Sequence, residues 1–429
     1  MQNLADAPPG PPLLAGLRLS IMMFLQFFVW GSWYVTTGNF MQAHMAGGIA
    51  WAYSVGPIAA IVSPFFLGMI ADRFFASQKV LAVMHLLGGA ALLAAPSFAA
   101  GSKDESWVPF VLVLGLHMLC YMPTLGLTTS LSFHNLQDQE KQFPIVRVFG
   151  TVGWIAANQV ISNGFQADFT ATQYTVAGSA GLLLGVYSFF LPHTPPPAAG
   201  RPFSVRQALG LDALALLRER AFLVFMVCSF LLCVPLAAYY NRAGIFVGST
   251  GVQDVAAKMS WGQISEVFFM LVMPLCFVRL GVKWMMLVGM AAWVLRYALF
   301  SFAADEKVFW MLMGGILLHG VCYDFFFVTG MVYVDKRAPV EIRAQAQGFL
   351  VLVTQGLGLG LGAQLVGAMV DAYTTTHAGG PPGQETTEVM AWRPFWMILA
   401  LAAAAIALLF LFTFRDRRAP SAGAGQERA

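Results

Sequence analysis

Five ionisable side chains lie inside long apolar stretches of a chain that is only 10% charged: Arg147, Arg242, Glu266, Arg296 and Asp324. At the centre of a bilayer such a group costs about 3 kcal/mol on insertion scales, so it persists where it faces a protein interior or a water-filled cavity. Their neighbours carry complementary chemistry. Arg147, Thr151 and Trp154 follow one another at i, i+4 and i+7, which places a five-donor cation, a hydroxyl and a large aromatic plane on one helix face. Gln263 and Glu266 stand at i and i+3 and can meet one ligand. His319 and Tyr323 share a face, with Asp324 turned about 100° from it. Groups of these types, placed on different helices, could hold a substrate in an interior cavity.

Each residue also has a plainer reading. Arg147 lies near the start of its segment and could reach the membrane interface through its long stem. Glu266 could belong to an outer turn, and a protonated Asp324 could bond a neighbouring helix. Arg242, after Tyr239-Tyr240-Asn241, is near the outer end of its segment and is expected at the interface. Arg296 lies deeper and is expected to pair with Asp324 or with carbonyls. Gln26, Trp30 and Trp33 form a stripe more typical of packing than of binding.

The elements that must position these groups are apolar helices. The chain has 429 residues, 58% of them hydrophobic, with mean hydropathy +0.69. That composition fits a protein solvated by lipid rather than a soluble one. The net charge of +3 and the lack of basic, aromatic-interleaved runs give no support to nucleic-acid binding. Cys120, Cys228, Cys233, Cys276 and Cys322 all fall in apolar segments and suggest small buried hydrophobes. No nucleophile–base pair, phosphate loop or metal-ligand spacing is present, so neither enzyme chemistry nor a cofactor is expected. The first sixteen residues lack a basic region and a small-residue cleavage site, so the first apolar run is expected to stay as an anchor.

Twelve segments are long enough to cross a bilayer: 17–40, 50–71, 79–100, 107–133, 145–163, 173–192, 221–247, 260–278, 284–303, 308–334, 344–371 and 392–414. An all-α integral membrane fold is therefore expected. Most of the 24 Lys and Arg fall in segments on the N-terminal side of the membrane, against Lys103, Lys258, Lys307 and Arg393 on the other. This asymmetry predicts that both termini are cytoplasmic. The longest interior break, 193–220, carries Pro195-Pro196-Pro197 and four arginines. It divides the chain into a six-helix half (1–192), a linker, a second six-helix half (221–415) and a tail (416–429). The stretch from Gly210 to Arg220 could form a short surface helix in the linker. Leu116-His117-Met118-Leu119-Cys120-Tyr121 and Leu318-His319-Gly320-Val321-Cys322-Tyr323 match at corresponding places in the two halves, as a duplicated transporter predicts.

Between the second and third segments lies Gly68-Met69-Ile70-Ala71-Asp72-Arg73, which resembles the signature loop of the major facilitator superfamily. Gly68 permits close helix packing, and Asp72 and Arg73 offer charges at a helix end. A narrower resemblance is carried by Phe24-Leu25-Gln26-Phe27, Trp30-Gly31-Ser32-Trp33, Tyr121–Leu127 and Phe143–Gly153. It continues through Gln263 with Ser265-Glu266, Leu295-Arg296-Tyr297, Tyr323–Phe326 and Arg343–Gly348. In these the chain is similar to the bacterial nucleoside:proton symporters of that superfamily. The resemblance implies proton-coupled nucleoside uptake across the inner membrane by a multi-pass carrier that functions as a monomer. It implies substrate contacts at Arg147, Thr151, Gln263, Glu266 and Tyr323. Trp154 and His319 differ from the residues usual in the family, and in the seventh segment Tyr240 or Asn241 stands where other polar ligands are usual. Asp324 and Glu266 are the expected proton-coupling groups. A porter for another small polar solute, such as a sugar, is the alternative.

Overall fold

The computed structural model describes residues 12–45, 47–66, 74–99, 106–196, 204, 206, 211–339, 342–377 and 387–415. Gly68, Asp72 and Arg73 of the expected signature loop lie outside the described residues, as does the tail from 416 onward. Among the described residues the chain is almost wholly helical, and nine helical stretches are long and apolar enough to cross a membrane.

The first group of helices is α1 (Pro12–Gly31), α2 (Thr37–His44), α3 (Ile49–Phe66), α4 (Ser77–Ala94), α5 (Val108–Asn135), α6 (Gln139–Gln159) and α7 (Thr172–Ser188). A second group begins with α8 (Arg220–Ala238), α9 (Gly244–Ser249), α10 (Val255–Met259) and α11 (Trp261–Glu306). It continues with α12 (Phe309–Leu317), α13 (His319–Cys322), α14 (Thr329–Arg337), α15 (Arg343–Val351), α16 (Leu359–Tyr373) and α17 (Trp392–Thr413). One large buried cluster is built only from residues after 212, and another only from residues before 192. A third mixes first-group residues with Ile245 and Ala363 and so belongs to the seam between the groups.

Helix α11 runs for 46 residues but turns back on itself at Gly281, whose φ of 68° is left-handed. Both of its arms lie along the same neighbours. A Cβ at Gly262 would lie 3.0 Å from Cβ of His319, and Arg296 on the other arm donates to the Gly315 carbonyl at 2.9 Å. The left-handed backbone there favours glycine.

Several helices are interrupted by one wider, π-type turn: Val160–Gly164, Tyr239–Ala243, Tyr323–Val328 and Leu352–Gly358. Pro235 precedes the second of these and cannot donate within the helix, and its own carbonyl accepts from the Tyr297 hydroxyl. Such turns collect at functional positions in helices, and here two of them carry Tyr239–Arg242 and Tyr323–Asp324.

The linker is partly ordered by specific bonds. Thr194 donates its N–H to Gln78 at 3.0 Å and accepts from Ser77 N at 2.9 Å, and Asn135 reaches its hydroxyl at 2.8 Å. The surface helix expected over 210–220 is a tight 3₁₀ helix at Leu211–Arg218, with Ala213 and Leu216 buried against the second group. Sequence reading anticipated no strands. The structure holds one antiparallel hairpin, β1 (Thr374–His377) with β2 (Thr387–Met390), where a run of β-branched threonines ends α16.

The two groups meet closely at the end away from the linker. A Cβ at Gly38 would lie 3.0 Å from Ile245 Cδ1, and one at Gly244 would lie 3.0 Å from the Val35 carbonyl oxygen. The Asp168 carboxyl accepts from the N–H groups of Val255 at 3.2 Å and Ala256 at 3.0 Å, capping α10 from the opposite group. The Ser162 hydroxyl donates to the same carboxyl at 2.7 Å and accepts from Ala257 N at 2.9 Å. Burial pushes the Asp168 carboxyl above its usual range, while these hydrogen bonds pull the other way. At the linker end the start of α6 is exposed on its outer side, with Ile145 62% exposed and Arg147 exposed beside it.

Candidate functional site

Between the groups, near mid-helix, lies a small cleft with about 30 Å³ of free volume. Its walls are Tyr34, Val35 and Trp154 from the first group and Tyr239, Tyr240, Gly244, Met259 and Gln263 from the second. Trp154, Tyr240 and Gln263, expected from sequence, are thus brought together. The aromatic walls interlock edge to face: Trp30 with Trp154 at 5.6 Å, and Tyr34 with Trp154 at 6.2 Å and with Tyr240 at 5.7 Å. The indole N–H groups of Trp30 and Trp154 are buried without acceptors. In this state the cleft is too narrow for a ligand unless the groups move apart, but its lining of rings with a few unpaired donors is of the kind that suits a flat polar molecule.

Beside the cleft is a second set. His319 Nε2 lies 3.8 Å from a Glu266 carboxyl oxygen. The His319 ring stacks on Tyr239 at 5.2 Å and on Tyr323 at 6.0 Å. Tyr323 itself lines a neighbouring pocket with Phe225, Ser229 and Phe327 rather than the cleft. Stacking through His319 joins the two pockets.

The remaining expected residues are placed differently. Arg147 is exposed toward the linker end with its guanidinium 4.4 Å above the Phe27 ring, within electrostatic range of Glu266 and Tyr323. Thr151 is half-buried one turn before Trp154. Asn241 does not line the cleft. The wider turn swings it toward the α2 contact, where its carbonyl oxygen would lie 3.2 Å from a Cβ at Gly38, and its side-chain amide is buried without a partner. Asp324 is fully buried, and neither carboxyl oxygen has a hydrogen-bond partner.

The two unassigned arginines are also settled in place. Arg242 does not reach the interface as expected: it is 8% exposed, close to Tyr53 and Asp371. Arg296 pairs with a carbonyl and not with Asp324, donating to Gly315.

Sequence reasoning missed Tyr34, which the chain turns into the cleft where helix α1 ends at Gly31. It also missed a buried network in the first group. Gln26 donates to Thr124 at 2.7 Å and bonds His85 at 2.7 Å, and Tyr121 donates to the Gln26 carbonyl at 2.7 Å. The i+4 spacing of Trp30 and Tyr34 was a usable signal for the first. Nothing local signals the second, because its partners are 59 and 98 residues apart.

A lipid-solvated helical bundle with a polar, aromatic cleft between two groups of helices defines a membrane carrier. Residues 14–419 match the model of the family described as "Nucleoside H+ symporter", and the chain belongs to that family. It is similar to the putative nucleoside transporter YegT of Escherichia coli, 43% identical with 82% of this chain and 84% of that protein covered. It is also similar to the nucleoside permease NupG of Escherichia coli, 32% identical with 90% and 92% covered, and to the xanthosine permease of the same organism at 31%. A crystal structure of NupG, solved as an aspartate-to-alanine mutant, superimposes with a TM-score of 0.83 at 31% identity, covering 94% of this chain and 100% of that one.

Proposed function

We infer that the chain takes up nucleosides with protons across the bacterial inner membrane, as a multi-pass carrier of its family. The observation that carries the reading is the ring-walled cleft lying next to a buried carboxyl–imidazole pair. A nucleoside is uncharged and has a flat base and vicinal hydroxyls. Trp154, Tyr34 and Tyr240 supply planes and edges for the base. Gln263, Glu266 and Thr151 supply bonds to hydroxyls, which a carboxylate accepts with charge assistance. Arg147 reaches toward Glu266 from the linker side, and Tyr323 extends the surface through His319. Glu266 exchanges the coupled proton, with Asp324, the residue after Tyr323 of the stack, as a second acid.

The chain crosses the membrane twelve times in this reading. The nine long stretches are joined by α3 and α7, and α11 accounts for two crossings by turning at Gly281. The halves are 1–192 and 221–415, joined by the linker 193–220, with both termini cytoplasmic and the monomer as the working unit. The closed end with Asp168 then faces outward and the linker end inward, so transport proceeds by rocking the halves about the cleft.

The test is uptake by purified protein in liposomes. Labelled uridine or adenosine accumulates when an inward proton gradient is imposed. Uptake of a hexose with no response to nucleosides would favour the sugar-porter alternative.

A further inference from the structure

Arg296 is a fully buried cation with an unusual setting. Its Nε donates to the Gly315 carbonyl, both terminal nitrogens are buried without an acceptor at close hydrogen-bond geometry, and the Tyr297 hydroxyl stands within electrostatic reach of them. Among the described residues no carboxyl oxygen lies within 4.0 Å of it as an ion pair. Its charge rests instead on rings: 4.0 Å above Tyr239 and 5.3 Å from Trp293. A guanidinium removed from water is costly unless something compensates it. Here the compensation is π-electron density, which is worth about 2 kcal/mol when desolvated.

Tyr239 also carries the functional geometry. The His319 ring lies against it at 5.2 Å and only 18° from parallel, and Tyr323 stacks beyond His319 at 24°. Cation, phenol, imidazole and phenol follow one another in series, and the imidazole edge in that series is what places Nε2 at 3.8 Å from Glu266. His319 Nδ1 has no partner to orient the ring. Its repeat-related counterpart does: His117 Nδ1 is bonded to the Gly88 carbonyl at 3.0 Å. The series therefore supplies for His319 what a backbone carbonyl supplies for His117. Charged and titratable groups facing His319 are Glu266 and Arg296.

We propose that Arg296 is a positioning residue for proton coupling: by holding Tyr239, it fixes the ring of His319 toward Glu266. This rests on the proton-coupled carrier reading above. A ring-face role predicts that Tyr239→Phe, which keeps the face and drops the hydroxyl, retains about tenfold more accumulation than Tyr239→Leu. Residues that act as one unit give non-additive losses.

The experiment measures two quantities on liposome-reconstituted full-length protein: proton-driven uridine accumulation, and uridine counterflow without a gradient. Arg296→Gln, His319→Gln and the double substitution should each lower accumulation about tenfold, the double no more than either single. Arg296→Lys should recover part of the loss, and counterflow should persist in Arg296→Gln. Should Arg296→Gln not fold, as judged by gel filtration, Tyr239→Leu against Tyr239→Phe decides. Accumulation unaffected by Arg296→Gln, equal behaviour of the two Tyr239 variants, or a multiplicative loss in the double variant would overturn the proposal. Absence of counterflow in the parent protein would instead overturn the carrier reading itself.

Discussion

Asp324 is the residue whose burial asks most for an explanation. Both carboxyl oxygens are shut away without a partner, in electrostatic range of Glu266 alone among acids. A buried polar group left unpaired costs about 1–3 kcal/mol, so the site holds it against stability. Asp324→Asn keeps the shape and removes the acid. It should abolish proton-driven accumulation while the thermal midpoint in detergent stays level or rises. A fall in midpoint with accumulation intact would make Asp324 a structural residue. Glu266 differs in being half-buried at the cleft edge, beside His319. Glu266→Gln can still bond a hydroxyl but cannot carry the proton. Accumulation should drop about tenfold with counterflow retained. Sequence spacing anticipated that Trp154 and Gln263 lie together and that His319 and Tyr323 share a face, because each lies on a regular helical stretch or at the very start of a wider turn. It misplaced Asn241 because a wider turn at Tyr239–Ala243 breaks the 100° step on which facing arguments depend.

At the scale of elements, glycine decides how closely helices approach. A Cβ at Gly153 would overlap the Phe24 carbonyl, so α1 and α6 touch backbone to backbone there. A Cβ at Gly126 would meet nothing within 4 Å. Gly153→Ala should lower the thermal midpoint sharply and displace Trp154, whereas Gly126→Ala should be neutral, as a thermal-shift comparison will show. The same contrast explains which elements were legible. Long apolar runs bounded by charges declare themselves through hydropathy alone, including the two arms of α11. The hairpin after α16 did not, since three threonines in a loop carry little hydrophobic pattern. The buried bonds of Gln26 with His85 and Thr124 were hidden for a different reason: they join helices distant in sequence.

On the scale of the whole molecule, the two groups of helices are shut against each other at the end away from the linker. The shut end is held across the two groups by the Asp168 carboxyl on the N–H groups of α10, with Gln159 donating to Ser260 at 3.0 Å beside it. Charge-assisted bonds of this kind contribute about 1.5–3 kcal/mol each, enough to bias a two-state carrier at least tenfold. Asp168→Ala should therefore favour the opposite state. A single cysteine at Ile245, buried under that seam, would be labelled about tenfold faster by a membrane-impermeant maleimide in the Asp168→Ala background. Unchanged labelling would show that the bond does not hold the seam.

The central claim is that a nucleoside and a proton move together through the cleft between the halves. Its most direct test is uridine accumulation by the purified protein in liposomes while the imposed pH gradient is varied. Accumulation above equilibrium that grows with an inward proton gradient, collapses with a protonophore and falls about tenfold in Glu266→Gln is the predicted result. Uridine entry that only equilibrates, and does so equally at every gradient, would contradict it.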